Sequence, residues 1–145
     1  MLIAKGDGNT RAHAAAALAF LSEVPPELNP ILARMMDEDD ASVRQGAALG
    51  LARPHAENLD RIIEVLVEGL RNGQFQIRCA EALGRIGPEA AVSKPYLEQA
   101  TGYVLRIAAK DALAKVSIQS IEQTSPMNRI EASETQTSSA AGSRR

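Results

Sequence analysis

A chain of 145 residues has the length of one domain, and its 25 alanines and 14 leucines sit beside only four aromatic residues (Phe20, Phe75, Tyr96 and Tyr103). That composition argues against a β-sandwich or barrel, whose strands draw on aromatic and β-branched side chains, while 45% apolar residues argue against disorder throughout. Sixteen basic against 18 acidic residues, a net charge of −2, argue against nucleic acid or an anionic membrane as partner of the whole chain.

The N-terminal residues lack the apolar stretch of a secretory signal, and no apolar run approaches the ~20 residues of a membrane span. The first helix is expected around TRAHAAAALAFL, starting at Thr10, with Asp7 placed to cap it. Pro25-Pro26 marks the entrance of a second helix, in which Leu28, Ile31, Leu32 and Met35 repeat at helical spacing. Pro30 either opens that helix or kinks it. The acidic run Asp37-Glu38-Asp39-Asp40 ends in a cap for VRQGAALGLARP, from Val43. Leu59, Ile62, Ile63 and Leu66 form the next apolar stripe, followed by Asn72 as a cap and FQIRCAEALGRI from Phe75. A weaker helix is expected from Pro88 through Ala100, carrying Val92, Tyr96 and Leu97, with Pro95 matching Pro30. Gly102 then precedes LRIAAKDALAKV, from Leu105, and Ser120 to Arg145 is rich in Ser, Thr, Gln and Glu.

These elements repeat. The four alanine-rich segments align without gaps, and their starts lie 33, 32 and 30 residues apart. With Arg11, Arg44, Gln76 and Arg106 as reference positions, the residue before is Thr10, Val43, Phe75 or Leu105. Three residues after the reference stand Ala14, Ala47, Cys79 and Ala109; six after, Ala17, Gly50, Ala82 and Ala112; seven after, Leu18, Leu51, Leu83 and Leu113. These offsets share one helix face, small where a neighbouring backbone must come close and leucine where a gap must be filled. The fold class expected is therefore all-α, an α-solenoid of stacked helix–turn–helix units. Residues 1–118 form the solenoid, about three and a half repeats with an incomplete first one, and residues 119–145 form a flexible Ser/Thr-rich tail. The missing helix before Thr10, of which Leu2 and Ile3 are a remnant, leaves an apolar edge. A second copy, another protein or upstream sequence would cover it.

Asp39-Asp40-Ala41-Ser42-Val43-Arg44 and Ala80-Glu81-Ala82-Leu83-Gly84-Arg85-Ile86-Gly87 resemble the HEAT repeat, in the short alanine-rich form of the phycobilisome-lyase-like branch. Gln76 departs from that pattern, which has arginine there, and Gly102 replaces an acidic cap. The resemblance implies a rigid helical scaffold or adaptor whose second helices line a concave face. It also implies an alternative, a subunit of a bilin lyase or isomerase acting on a phycobiliprotein-like substrate, which would need a chromophore pocket and a second subunit.

On a helical wheel, the positions one, five, eight and nine after the reference face away from the core. The first reads Ala12, Gln45, Ile77 and Ile107; the fifth, Ala16, Leu49, Glu81 and Asp111; the eighth, Ala19, Ala52, Gly84 and Ala114; the ninth, Phe20, Arg53, Arg85 and Lys115. Placed on a concave face, Phe20, Leu49, Arg53, Ile77, Arg85, Ile107 and Lys115 would bind a protein or peptide partner, apolar spots beside a basic column. The plainer reading gives the cations to helix C-termini, with Glu81–Arg85 and Asp111–Lys115 as i, i+4 pairs.

Catalytic chemistry finds little support. Cys79 stands in an alanine column and should be a buried structural thiol, with no partner for a disulfide. His13 and His55 lack a ligand spacing, the acidic run lacks the alternation of a calcium loop, and Gly84-x-x-Gly87 has no strand before it. No catalytic residue, metal or cofactor is expected. A cytoplasmic protein-interaction module is.

Overall fold

A computed structural model describes Ile3 and residues 5–117; the expected tail and Leu2 lie outside them. Helix α1 spans Gly8–Ala17 and tightens into a 3₁₀ turn at Leu18–Phe20. A second 3₁₀ turn, Pro26–Leu28, leads into α2, Asn29–Met35. Helices α3 (Ala41–Leu51), α4 (Leu59–Asn72) and α5 (Gln76–Ile86) follow. A 3₁₀ segment at Gly87–Ser93 precedes the short α6, Lys94–Glu98, and residues 103–117 form α7. The described residues are all-helical and contain no strand.

The starts of these helices follow from their first residues. The Asp7 carboxylate accepts from the Thr10 amide at 2.7 Å, and the Asp40 carboxylate accepts from the Ser42 amide at 2.9 Å. Both prolines opposite the apolar stripes, Pro30 and Pro95, sit in first turns, where the missing N–H leaves no bond broken. Asn72 is not a cap. Buried Leu70 carries α4 on to Asn72, and α5 begins at Gln76 with Phe75 in the cap position and no side-chain cap bond.

The expected helix from Pro88 through Ala100 is broken. Pro95 cannot donate to the carbonyl four residues back and crowds it, so regular α-helix starts only at Lys94, with Ala90 off helical geometry at φ −93°, ψ 19°. Val92, placed on the core side by sequence, is exposed, whereas Leu97 is buried.

Residues at the reference position tie three of the second helices to the backbone that precedes them; Arg106 on α7 makes no such bond among the described residues. Arg11 donates from Nε to the Ile3 carbonyl at 3.0 Å and pairs with Glu38. Arg44 donates to the Glu38 and Asp39 carbonyls at 2.8 and 2.7 Å and reaches Glu68 on α4. Gln76 keeps this role without a charge, donating to the Leu70 and Arg71 carbonyls at 3.1 and 3.3 Å. A charged fork or an amide serves equally, because the acceptors are orphan carbonyls at the end of a helix or turn.

The small-residue columns of the expected core face hold in the later repeats, while its leucine column is buried only at Leu83, with Leu51 and Leu113 half-covered. Val43, Ala47 and Gly50 are buried on α3; Phe75, Cys79, Ala82 and Leu83 on α5; Leu105, Ala109 and Ala112 on α7. In α1 it is rotated: Ala12, Ala15 and Ala16 are buried, Ala17 is exposed, and Ala14 and Leu18 are only half-covered. Helix α1 takes its orientation from α3, whose Gly46 and Gly50 admit its backbone directly. A Cβ at Gly46 would collide with the Ala12 carbonyl group, and one at Gly50 would lie 2.7 Å from the Ala15 oxygen. Gln45, expected to face outward, is also inside, 2% exposed and packed under Gly69 and Gly73 of α4.

Candidate functional site

Residues at or just beyond the C-terminal ends of α1, α3, α5 and α7 line one depression of about 560 Å³. Its floor comes from the eighth position after the reference, Ala19, Ala52 and Gly84; its wall comes from the ninth, Arg53, Arg85 and Lys115; Leu21 and Pro54 complete the rim. Small residues on the floor follow from close packing beneath it. A Cβ on Gly84 would stand 3.0 Å from the Ala112 backbone of α7. The surface is low because the helices below it nearly touch.

The three cations are not equivalent. Arg53 donates to the Ala52 carbonyl at 2.9 Å, to Leu21 at 3.0 Å and to Leu18 at 3.2 Å, so its guanidinium closes the C-terminal end of α1 from the neighbouring helix. Lys115 pairs with Asp111 at 2.7 Å, one turn back on α7. Arg85 has no hydrogen-bond acceptor and no ion pair among the described residues. The expected Glu81–Arg85 bridge is not formed. Burial first, then the positive charges of Arg53 and Arg78, push the Arg85 pKa below the usual arginine value, with Glu81 opposing them.

Arg78, which sequence reasoning passed over, belongs to the same basic cluster. It stands 4.8 Å above the Phe20 ring and donates to the Ala16 carbonyl at 2.8 Å. No local signal in the sequence marks that reach, which joins positions 62 residues apart.

The remaining expected contact residues separate. Phe20 is 79% exposed, with Arg78 over its ring. Ile77 and Ile107 are exposed but do not line the depression, because each sits two turns, about 12 Å, along its helix from Arg85 or Lys115. Leu49 is not a surface residue. It is 1% exposed, since α3 is enclosed by α1, α2, α4 and α5 and has little outward face left. A larger depression of about 800 Å³ lies beyond Arg53, lined by Val24, Ala33, Leu51 and Ala56 with Glu23 and Glu57. It mixes both signs of charge and gathers no cluster of one.

Cys79 is sealed in the core, and burial raises its thiol pKa to about 12. The folded protein is expected to resist iodoacetamide at pH 8 and to be alkylated once guanidinium unfolds it, read by mass spectrometry. Rapid labelling of the native state would place Cys79 at the surface instead. His13 stacks edge-on to Phe75 with ring centroids 5.1 Å apart, and His55 approaches Glu89 at 3.0 Å on the surface. Neither histidine lies beside the thiol in a hydrogen bond. Among the described residues no three His, Cys, Asp or Glu side chains gather as a metal site would require, and no helix is long and apolar enough to cross a membrane. No protein-family model matches the chain, and neither curated proteins nor solved structures gave a match.

Proposed function

We propose that the chain is a HEAT-like α-solenoid that acts without catalysis, presenting the basic depression on its second helices to a protein or peptide partner in the cytoplasm. The observation that carries this reading is the repetition of the site itself. The second and third units each supply a small residue to its floor and a cation to its wall, Ala52 with Arg53 and Gly84 with Arg85, while the first adds only Ala19 and the fourth only Lys115, all from the same two repeat positions. A surface built column by column from stacked units is how a solenoid makes an extended binding face. The fastening of Arg11, Arg44 and Gln76 to preceding carbonyls supports a repeating unit with a shared internal bond pattern.

The test is affinity capture from cell extract with the parent and with an Arg85→Glu/Lys115→Glu double variant. Arg53 is left intact because it holds the end of α1. Captured partners are expected to fall by about tenfold or more, since a reversed charge places like charges across an interface. An unchanged set of partners at unchanged recovery would remove the groove as the binding face.

A further inference from the structure

Two of the three cations on the groove wall are already engaged, Arg53 by backbone carbonyls and Lys115 by Asp111. Arg85 is not. It is exposed and lines the groove with Arg53, beside an apolar floor. A guanidinium in that setting offers a planar fork of N–H donors that two oxygens of one carboxylate satisfy together. An anion there would also offset the repulsion among the three arginines.

The floor selects what surrounds the anion. Ala19 and Leu21 offer aliphatic contact, Ala52 and Gly84 lie buried beneath them, and none of the four brings a polar side chain. The volume, about 560 Å³, falls in the range of roughly 300–1,000 Å³ that holds a small ligand or a few side chains. A nucleic-acid strand suits it less well. Tracking a phosphate backbone takes a series of available cations and aromatic platforms, whereas Arg53 and Lys115 are engaged and one face of Phe20 is covered by Arg78.

We infer that the groove takes an acidic segment of a partner protein, an Asp or Glu carboxylate seated on the Arg85 fork and a flanking aliphatic side chain against Ala19 and Leu21. This inference rests on reading the groove as the partner site and adds the chemistry of what enters it.

Fluorescence anisotropy with a dye-labelled synthetic peptide alternating glutamate and leucine tests it, against the same peptide with glutamine for glutamate. Saturable binding of the acidic peptide is expected, weakened by about tenfold or more in Arg85→Gln through loss of the bidentate charged contact. Arg85→Lys, which keeps the charge and loses the fork, should fall between the two, and Arg34→Gln, the same charge change elsewhere on the surface, should match the parent. Arg85 makes no hydrogen bond in the folded chain, so an unchanged thermal midpoint for Arg85→Gln shows that the loss is one of binding. Equal affinity for the glutamine peptide, no effect of Arg85→Gln, or tighter binding of a single-stranded DNA oligomer would each overturn the inference. If the acidic peptide fails to bind while Arg85→Glu/Lys115→Glu still strips captured partners, the ligand class is wrong and the groove remains the partner site.

Discussion

Gly46→Val is expected to lower the unfolding free energy by about 3 kcal/mol or more, the upper end of what overpacking a tight contact costs. A Cβ at this position meets the Ala12 carbonyl oxygen, and lies 2.8 Å from both its carbonyl carbon and its Cα. All three are backbone atoms, so no rotamer change relieves the overlap. Ala12 is itself fully buried and has no side chain to swing aside. The remaining route is for α1 to move off α3, which pulls the Ala16, Leu18 and Leu21 carbonyls away from Arg78 and Arg53. That displacement would also take Ala19 and Leu21 out of the groove, so partner binding should fall together with stability. Gly50→Ala is the milder comparison, because its Cβ meets one backbone oxygen at 2.7 Å and the flexible end of Leu32 at 3.5 Å. Thermal denaturation with limited proteolysis of the 21–25 stretch would check both. A Gly46→Val protein with the parent's midpoint and cleavage pattern would mean that α1 does not rest on α3 as described.

Helix content and the inward columns of α3, α5 and α7 were legible because they depend on local periodicity, which a sequence carries residue by residue. What a wheel cannot supply is the number of neighbours around a helix. Leu49 points in the same relative direction as Glu81, yet Leu49 is enclosed and Glu81 is exposed, because α3 has helices on more sides than α5. The face of α1 was misjudged for the complementary reason. Its burial is decided by two glycines on α3, and only a packed structure shows which side of α1 they admit. The basic column was legible as a column, but not the different engagements within it. Spacing of i, i+4 permits an ion pair without requiring one, so Asp111–Lys115 forms while Glu81–Arg85 does not. The reach of Arg53 and Arg78 to carbonyls on α1 spans 35 and 62 residues of sequence and left no local signature.

The leucine column offers a quantitative test of how much each repeat depends on its neighbours. Leu83→Ala is expected to cost about 2–5 kcal/mol, combining lost burial with the cavity that remains. Leu83 is fully buried on α5, which packs against α4 and the Gly87–Ser93 turn. Leu18, at the same repeat position, is half-covered in the 3₁₀ turn that follows α1, as Leu51 and Leu113 are in their own units. Its replacement by alanine should cost less than half as much, because water already reaches part of the side chain and can fill the space left behind. If stability is a sum of unit energies and contacts between adjacent units, the effect of one substitution at one repeat position should follow the number of neighbouring elements closing over it. Chemical denaturation of Leu83→Ala and Leu18→Ala, analysed with a shared dependence on denaturant, distinguishes that from a chain that unfolds with no regard to position. Equal losses at the two sites would mean that α1 is held as firmly as the centre of the protein, by contacts other than those with α3.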